Sequence, residues 1–235
     1  MPDKVALVTG AGRGIGRAVA VALATDGYRV GLVARSAGEL EEVAREISGE
    51  LDPARVRVFV GDVAEATLAP RVVEELVGAW GSLDILFNNA GMNTQGSLDL
   101  SVEEFERMLA VNVTGAFSFA KAVVPVFRQQ GSGYLFNLSS VCGKHGFAGV
   151  GGYTASKFAL SGLSDCLYRE LLPLGISVTA ICPSWVDTQM ARHSHVAAAD
   201  RIQTDDIVKT VRYLLSLGRG ATVRELVVDC RYDPL

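Results

Sequence analysis

The chain alternates short apolar runs with longer stretches in which apolar residues recur at helical spacing. The runs predict strands at 4–9, 29–34, 55–60, 83–87, 133–138, 176–181 and 223–228, and the periodic stretches predict helices at 15–26, 37–49, 67–79, 102–129, 153–172 and 205–217. Several runs, such as Val5-Ala6-Leu7-Val8, are continuously apolar, as strands must be when crossover helices cover both faces of a sheet. The alternation predicts an α/β fold, a doubly wound parallel sheet of about seven strands with helices on both faces. Ser36 with Glu39 and Ser101 with Glu104 have capping-box spacing, and Pro70 falls in a first helical turn where a missing N–H costs little.

With 235 residues and 49% hydrophobic content the chain can bury a sizeable core, and no linker-like stretch divides it, so residues 1–235 read as one domain. A net charge of −4 with scattered Lys and Arg leaves no basic face for nucleic acid or an anionic membrane. No apolar run reaches the roughly 18 residues of a membrane helix, and Met1-Pro2-Asp3 leads into a strand without a signal-peptide pattern, which makes the expected location cytoplasmic. Cys142, Cys166, Cys182 and Cys230 lie far apart with no C-x-x-C pair, which fits reduced, mostly buried thiols and neither a metal site nor a disulfide framework.

The first strand-to-helix turn reads Thr9-Gly10-Ala11-Gly12-Arg13-Gly14-Ile15-Gly16. Its spacing is G-x-x-x-G-x-G rather than G-x-G-x-x-G, but the physics is shared. Gly10 permits the tight turn, Gly14 lets backbone approach a pyrophosphate at the helix N-terminus, and Gly16 allows close helix–strand packing. That is the dinucleotide turn of a Rossmann-type sheet.

A second constellation lies between residues 139 and 157. Tyr153 and Lys157 stand four apart on a helix and so leave one face, where an ammonium beside a phenol should pull the phenol's pKa from about 10 toward neutrality, the range suited to a general acid or base. Ser140, thirteen residues before Tyr153, ends an apolar run and can place a hydroxyl beside that phenol if strand end and helix start meet. Together they would grip and protonate a carbonyl oxygen.

Taken together, Thr9-Gly10-x-x-x-Gly14-x-Gly16, Asn88-Asn89-Ala90-Gly91, Asn112, Ser140 and Tyr153-x-x-x-Lys157 resemble the short-chain dehydrogenase/reductase family, in its order and over essentially the whole chain. The resemblance implies an oxidoreductase in which Tyr153 gives its proton to the substrate oxygen during hydride transfer, Lys157 holds the nicotinamide ribose and lowers the Tyr pKa, Ser140 bonds the carbonyl oxygen, and Asn112 holds a water linking Lys157 to solvent. It further implies that Gly10, Gly14, Ile15 and Gly16 carry the cofactor phosphates, that Asn89, Ala90 and Gly91 border the adenosine ribose while Asn88 braces the sheet, and that Asp62 and Val63 meet the adenine, though Asp62 has the alternative of capping the next helix. Pro183, Val186 and Thr188 fall on the nicotinamide side.

Cofactor choice is legible in Ala34-Arg35-Ser36. An NAD enzyme needs a carboxylate there for the ribose 2′-hydroxyl; Ala34 takes that place, and Arg35 with Arg13 offers two guanidinium forks to a 2′-phosphate, so NADP(H) is expected. The family's Pro-Gly after the sixth strand is Pro183-Ser184 here, which should narrow the backbone, and Cys230-Arg231 replaces the Gly-Gly common after the last strand in acyl carrier reductases. Residues 189–201, with His193 and His195, are expected to form a short polar mobile lid.

Apolar residues around most of helices 102–129 and 153–172 (Phe105, Met108, Phe117, Phe119, Val123; Phe158, Leu163, Leu167, Leu171) predict a homo-oligomer, a dimer or tetramer. Phe147, Val150, Trp185 and Met190 predict an apolar pocket for small or medium uncharged ketones, aldehydes or diketones, reduced to alcohols. The alternatives are 3-oxoacyl groups on an acyl carrier protein, against which the uncharged stretches 129–133 and 172–175 argue, and a non-catalytic NADP-binding regulator, against which the intact Asn112, Ser140, Tyr153 and Lys157 argue.

Overall fold

The computed structural model describes residues 4–50, 52–192 and 194–232. Strands β1 (Val5–Thr9), β2 (Arg29–Ala34), β3 (Val56–Val60), β4 (Ile85–Asn88), β5 (Gly133–Leu138), β6 (Ile176–Pro183) and β7 (Glu225–Val228) form a single sheet in the order β3-β2-β1-β4-β5-β6-β7. Every neighbouring pair is parallel. β1 and β4 are buried at every position, which is why their sequences run apolar without alternation up to the polar residue that ends each, Thr9 and Asn88. Chain order reverses between β1 and β4, and in such sheets the crevice beyond the strands' carboxyl ends at that reversal receives the ligand.

Helices α1 (Gly14–Thr25), α2 (Ala37–Glu50) and α7 (Thr204–Ser216) send Val19, Leu23, Leu40, Val43, Val208 and Leu214 into one core layer. Helices α3 (Leu68–Trp80), α5 (Ala116–Gln130) and the end of α6 (Gly151–Leu171) send Val72, Leu76, Phe119, Val123, Phe127 and Leu171 into the other. Predicted and observed ends differ by a residue or two, and the causes are local. β4 begins at Ile85 rather than 83 because Leu83 turns its backbone to the Gln130 side chain, its N–H donating to Gln130 Oε1 at 3.0 Å and its carbonyl accepting from Gln130 Nε2 at 2.7 Å.

The helix expected over 102–129 is interrupted. α4 (Val102–Leu109) passes into a wider π turn over Ala110–Gly115 before α5 begins. The whole run Val102–Gln130 is long and apolar enough by composition to cross a membrane, although no unbroken apolar run announced it. Its inward side, Met108, Phe119, Val123 and Phe127, is fully buried within the protein. This burial also corrects the expected oligomer face. Met108, Phe119, Val123 and Leu171 belong to the core, whereas Phe105, Phe117 and Phe158 are the exposed members at 37%, 46% and 45%.

The capping box at Ser101 and Glu104 forms in both directions. At α2 only half of it forms. Ser36 Oγ accepts from Glu39 N–H at 3.3 Å, but the Glu39 carboxylate pairs with Arg13 at 3.1 Å instead of returning to the cap.

Candidate active site

The ends of β1, β4, β5 and β6 meet over the crevice, and the loops that follow them carry the residues singled out from the sequence. Gly10 and Gly14 adopt φ of +64° and +55°, a backbone region that side chains rarely tolerate. A Cβ on Gly16 would lie 2.2 Å from the Gly10 carbonyl oxygen, so α1 presses directly onto the turn. Asn89 locks this arrangement, its Nδ2 donating to the Thr9 and Gly10 carbonyls at 2.9 and 3.0 Å, while Thr9 Oγ1 accepts from the N–H groups of Asn89 and Ala90. The side chain expected at the adenosine ribose is thereby committed to clamping the glycine turn. α1 has Arg13 at its N-cap with no side-chain cap and no acid in its first turn, which leaves its leading N–H groups and positive dipole end suited to a dinucleotide phosphate.

The catalytic candidates converge. Ser140 follows β5, and Tyr153 and Lys157 emerge one turn apart from α6, with the Lys157 ammonium 5.5 Å from the centre of the Tyr153 ring. Ser140 lies beside the Tyr153 phenol closely enough to lower its pKa, accepts from Cys142 N–H at 3.1 Å and is 7% exposed. Lys157 is buried and donates to the Leu138 carbonyl at 2.8 Å.

The expected depression of the tyrosine pKa is overturned. Burial pushes the Tyr153 phenol well above its ordinary value, the Cys142 thiol adds to this, and the Ser140 hydroxyl offsets only part. Burial likewise lowers the Lys157 ammonium to about 8, against the opposing influence of Cys182 and Cys142. Sequence spacing placed the charge beside the ring but could not weigh it against desolvation. The phenol therefore holds its proton at neutral pH while most of the lysine remains charged.

Asn112 lies in the π turn and is fully buried. Its Oδ1 accepts from Met92 N–H at 2.8 Å, and its Nδ2 donates to Met92 O and Ser156 Oγ, both at 2.9 Å. The amide thus pins the loop after β4 to α6, and a Cβ on Gly91 would touch both Asn112 Oδ1 at 3.4 Å and Lys157 Nζ at 3.7 Å. Beneath it, Asn88 Nδ2 bonds Asn137 Oδ1 and Asn137 Nδ2 bonds Ser164 Oγ, a buried ladder that braces the sheet as expected.

At the adenosine end, Ala34 closes β2 with Arg35 and Ser36 exposed beyond it. Asp62 accepts from Ala64 N–H at 3.0 Å and pairs with Arg107 from α4. Burial raises its carboxyl, but the Ala64 N–H and the Arg107 guanidinium prevail and hold it below the usual range. The Ala64 bond closes a local turn and is no cap of α3, whose cap position is Thr67. Val63 is buried against Gly115, where a Cβ would meet Val63 Cγ2 at 2.9 Å.

On the nicotinamide side, Pro183 ends β6 and Thr188 lies over the turn, 3.2 Å from where a Gly14 Cβ would be. Ser184 causes no strain, since among the described residues none other than glycine has positive φ. Its N–H donates to Val228 O at 3.0 Å and its Oγ accepts from Cys230 N–H at 2.7 Å, binding the chain beyond β7 to the loop after β6. The segment expected as a free polar lid is packed at its base. Val186, Val196, Ile202, Ile207 and Cys230 form a small core, and Arg201 bonds both Val196 O at 2.9 Å and Asp187 Oδ1 at 3.0 Å. His195 stacks edge-on to Trp185, and His193 falls outside the described residues.

Sequence reasoning missed Glu39, Arg107, Cys142 and Ser156. Arg107 and Ser156 stand five residues before Asn112 and one before Lys157, a proximity that could have flagged them. All four cysteines are free, and contrary to expectation Cys166 is exposed and Cys142 half-buried. Among the described residues no group of three or more His, Cys, Asp or Glu could hold a metal. An open depression lined by Lys144, Asp165, Arg224 and Glu225 excludes Ser140, Tyr153 and Lys157, and its charges pair with one another.

The family model described as short chain dehydrogenase matches residues 4–198. An uncharacterized oxidoreductase of Staphylococcus aureus (strain MRSA252) is 32% identical over 229 residues, 97% of each chain. Among solved structures, a betaketoacyl-ACP reductase from Bacteroides thetaiotaomicron superposes with a TM-score of 0.87 at 36% identity, covering 98% of both chains. An alcohol dehydrogenase from the archaeon Thermococcus sibiricus, complexed with 5-hydroxy-NADP, superposes with a TM-score of 0.90 at 31% identity over 99% of this chain and 98% of its own. Sequence match, sheet order and glycine turn agree, and the chain belongs to the short-chain dehydrogenase family of oxidoreductases, which bind a nicotinamide cofactor.

Proposed function

We propose that the protein is an NADP(H)-dependent oxidoreductase interconverting a ketone or aldehyde and an alcohol, with Tyr153 as its acid/base. The observation that carries this reading is a proton-bearing Tyr153 phenol beside the Ser140 hydroxyl, with the Lys157 ammonium 5.5 Å from the centre of its ring. When bound, the nicotinamide supplies the hydride that reduces the carbonyl carbon. Ser140 fixes the carbonyl oxygen by a hydrogen bond. As the C–H bond forms, the carbonyl π electrons move to that oxygen, and they take the proton from Tyr153 Oη. Lys157 stabilises the phenolate left behind, an effect strengthened by the low-polarity surroundings that raise the phenol's pKa. Asn112 keeps the Met92 loop and α6 in register beneath these groups.

NADP is supported by Arg13 and Arg35, by the lack of an acid at Ala34, and by the similarity to a protein complexed with 5-hydroxy-NADP. The phosphates fall to Gly10, Gly14, Ile15 and Gly16, the 2′-substituent to Arg13, Ala34, Arg35 and Ser36, the adenosine to Asp62, Val63, Asn89, Ala90 and Gly91, and the nicotinamide to Tyr153, Lys157, Pro183, Val186 and Thr188. Residues 1–235 act as one cytoplasmic domain, assembled into a homo-oligomer through the exposed Phe117 and Phe158 faces.

Half-buried Phe147, Val150 and Trp185 near the Ser140 and Tyr153 loops favour small or medium uncharged carbonyls. A second reading, 3-oxoacyl groups on an acyl carrier protein, is favoured by the 36% identity to a betaketoacyl-ACP reductase. Against it, Arg169, a cation near the expected carrier surface, is paired with Asp165 at 3.3 Å. Tyr153→Phe tests the central claim. It should lower turnover by about 10²-fold or more with NADPH affinity nearly unchanged. Near-normal turnover would sink the mechanism.

A further inference from the structure

At Gly12, the side chain that lies against the glycine turn belongs to neither β1 nor β2. A Cβ built on Gly12 would lie 2.9 Å from Glu39 Cβ, 2.9 Å from Glu39 Oε2 and 3.7 Å from Ala34 Cβ. Glu39 therefore leans from the first turn of α2 over Gly12 and beside Ala34, into the space that an acid at the end of β2 would otherwise fill. Its other oxygen binds Arg13 Nη1 at 3.1 Å. Arg13 is the guanidinium that the glycine turn offers to a 2′-phosphate, so that charge is already matched. Ser36 Oγ accepts from the Glu39 N–H and anchors the residue's backbone. The nearby Asp62 carboxylate is itself taken by Arg107, and Arg35 adds to the positive charge around it.

We propose that Glu39 is a specificity-determining residue that opposes the 2′-phosphate of NADP(H) and accommodates the 2′-hydroxyl of NAD(H). The inference rests on the dinucleotide reading above and refines its 2′ end. A 2′-phosphate entering here must take Arg13 from Glu39 and tolerate the carboxylate that remains, and two anions in contact disfavour each other strongly. A ribose 2′-hydroxyl meets no such opposition and can donate to the same carboxylate, the interaction an acid at the β2 terminus usually provides. Arg35 then carries most of the attraction for the phosphate, and Glu39 trims it. The half-exposed position limits the effect through solvent screening.

The test is equilibrium binding, by titration calorimetry, of 2′,5′-ADP and 5′-AMP, which differ only in the 2′-phosphate. The protein is compared with its Glu39→Gln, Glu39→Ala and Arg35→Ala variants, with thermal melts to confirm folding. Glu39→Gln should tighten 2′,5′-ADP by about fivefold to tenfold and leave 5′-AMP unchanged or weaker. Glu39→Ala should do the same, and the gain should shrink as salt is raised. An unchanged ratio of the two affinities in both Glu39 variants overturns the proposal. The NADP reading fails separately. If the unmutated protein binds 2′,5′-ADP no tighter than 5′-AMP and Arg35→Ala alters neither, that reading is lost, yet a higher ratio in Glu39→Gln still supports the role of Glu39.

Discussion

Raising the pH from 7 to 9 is expected to switch the protein off through Lys157 rather than Tyr153. Burial brings the Lys157 ammonium down to about 8 and moves the Tyr153 phenol the other way, so across this range only the lysine loses its proton. With a single titration near 8, about nine-tenths of the protein carries the ammonium at pH 7, half at pH 8 and about one-tenth at pH 9. If the neutral amine cannot stabilise the developing phenolate, kcat/KM for NADPH falls about tenfold between pH 7 and 9, since kcat/KM reports the ionisations of the free protein. The assay is the initial rate of NADPH oxidation with a saturating aryl ketone, in buffers of constant ionic strength. Lys157→Arg, whose guanidinium stays charged throughout, should flatten the profile while lowering its height. A flat profile in the unmutated protein, or a fall centred above pH 10, would refute the reasoning. The stability effect has the opposite sign. Between pH 8 and the lysine's ordinary 10.5 the unfolded chain binds more protons at this residue, so its contribution to folding stability rises with pH over that window.

Three further expectations follow from the same geometry. Ala34→Asp should abolish any preference for NADPH over NADH, read as the ratio of kcat/KM values; retention of the full preference would contradict the assignment of the 2′ site. Ser184→Ala removes the nearer of the two acceptors of Cys230 N–H, the other being Asp229 Oδ1 at 3.0 Å, so it should cost about 0.5–1 kcal/mol in denaturant unfolding and raise KM more than it lowers kcat. An unchanged unfolding midpoint would count against that tie. Light scattering at micromolar concentration should give a multiple of the 24.9 kDa chain, because Phe105, Phe117 and Phe158 remain exposed on one helical layer; a monomer mass would remove the assembly proposal.

The fold could be read from the sequence because parallel strands covered on both faces have to be continuously apolar, and β1 and β4 are, up to the polar residue that ends each. The pairing of Tyr153 with Lys157 was equally legible, since a spacing of four fixes a shared helical face whatever the tertiary structure. The ionisation of that pair was not, because desolvation depends on how deeply α6 lies against the β5 terminus, a property no local spacing carries. Glu39 was misread for a related reason. Its position three residues after Ser36 satisfies the capping pattern, but Arg13 arrives from another part of the chain and takes the carboxylate. The lid was judged by its polar residues, whereas Val196 and Ile202, which bury its base, are too sparse to form a run.

The π turn at Ala110–Gly115 makes the length of this stretch indispensable. A π turn is an α-helix with one residue too many, and one residue in an α-helix is about 100° of rotation. Deleting any one of those residues would restore a regular helix and swing everything downstream by that angle. Phe119, Val123 and Phe127 would leave the core, while Arg107, upstream, would stay beside Asp62. The surplus residue thus acts as a phase shifter. It allows one helix to face Asp62 at its beginning, Met92 and Ser156 at its middle and the sheet at its end, three directions that a helix of constant pitch could not serve together.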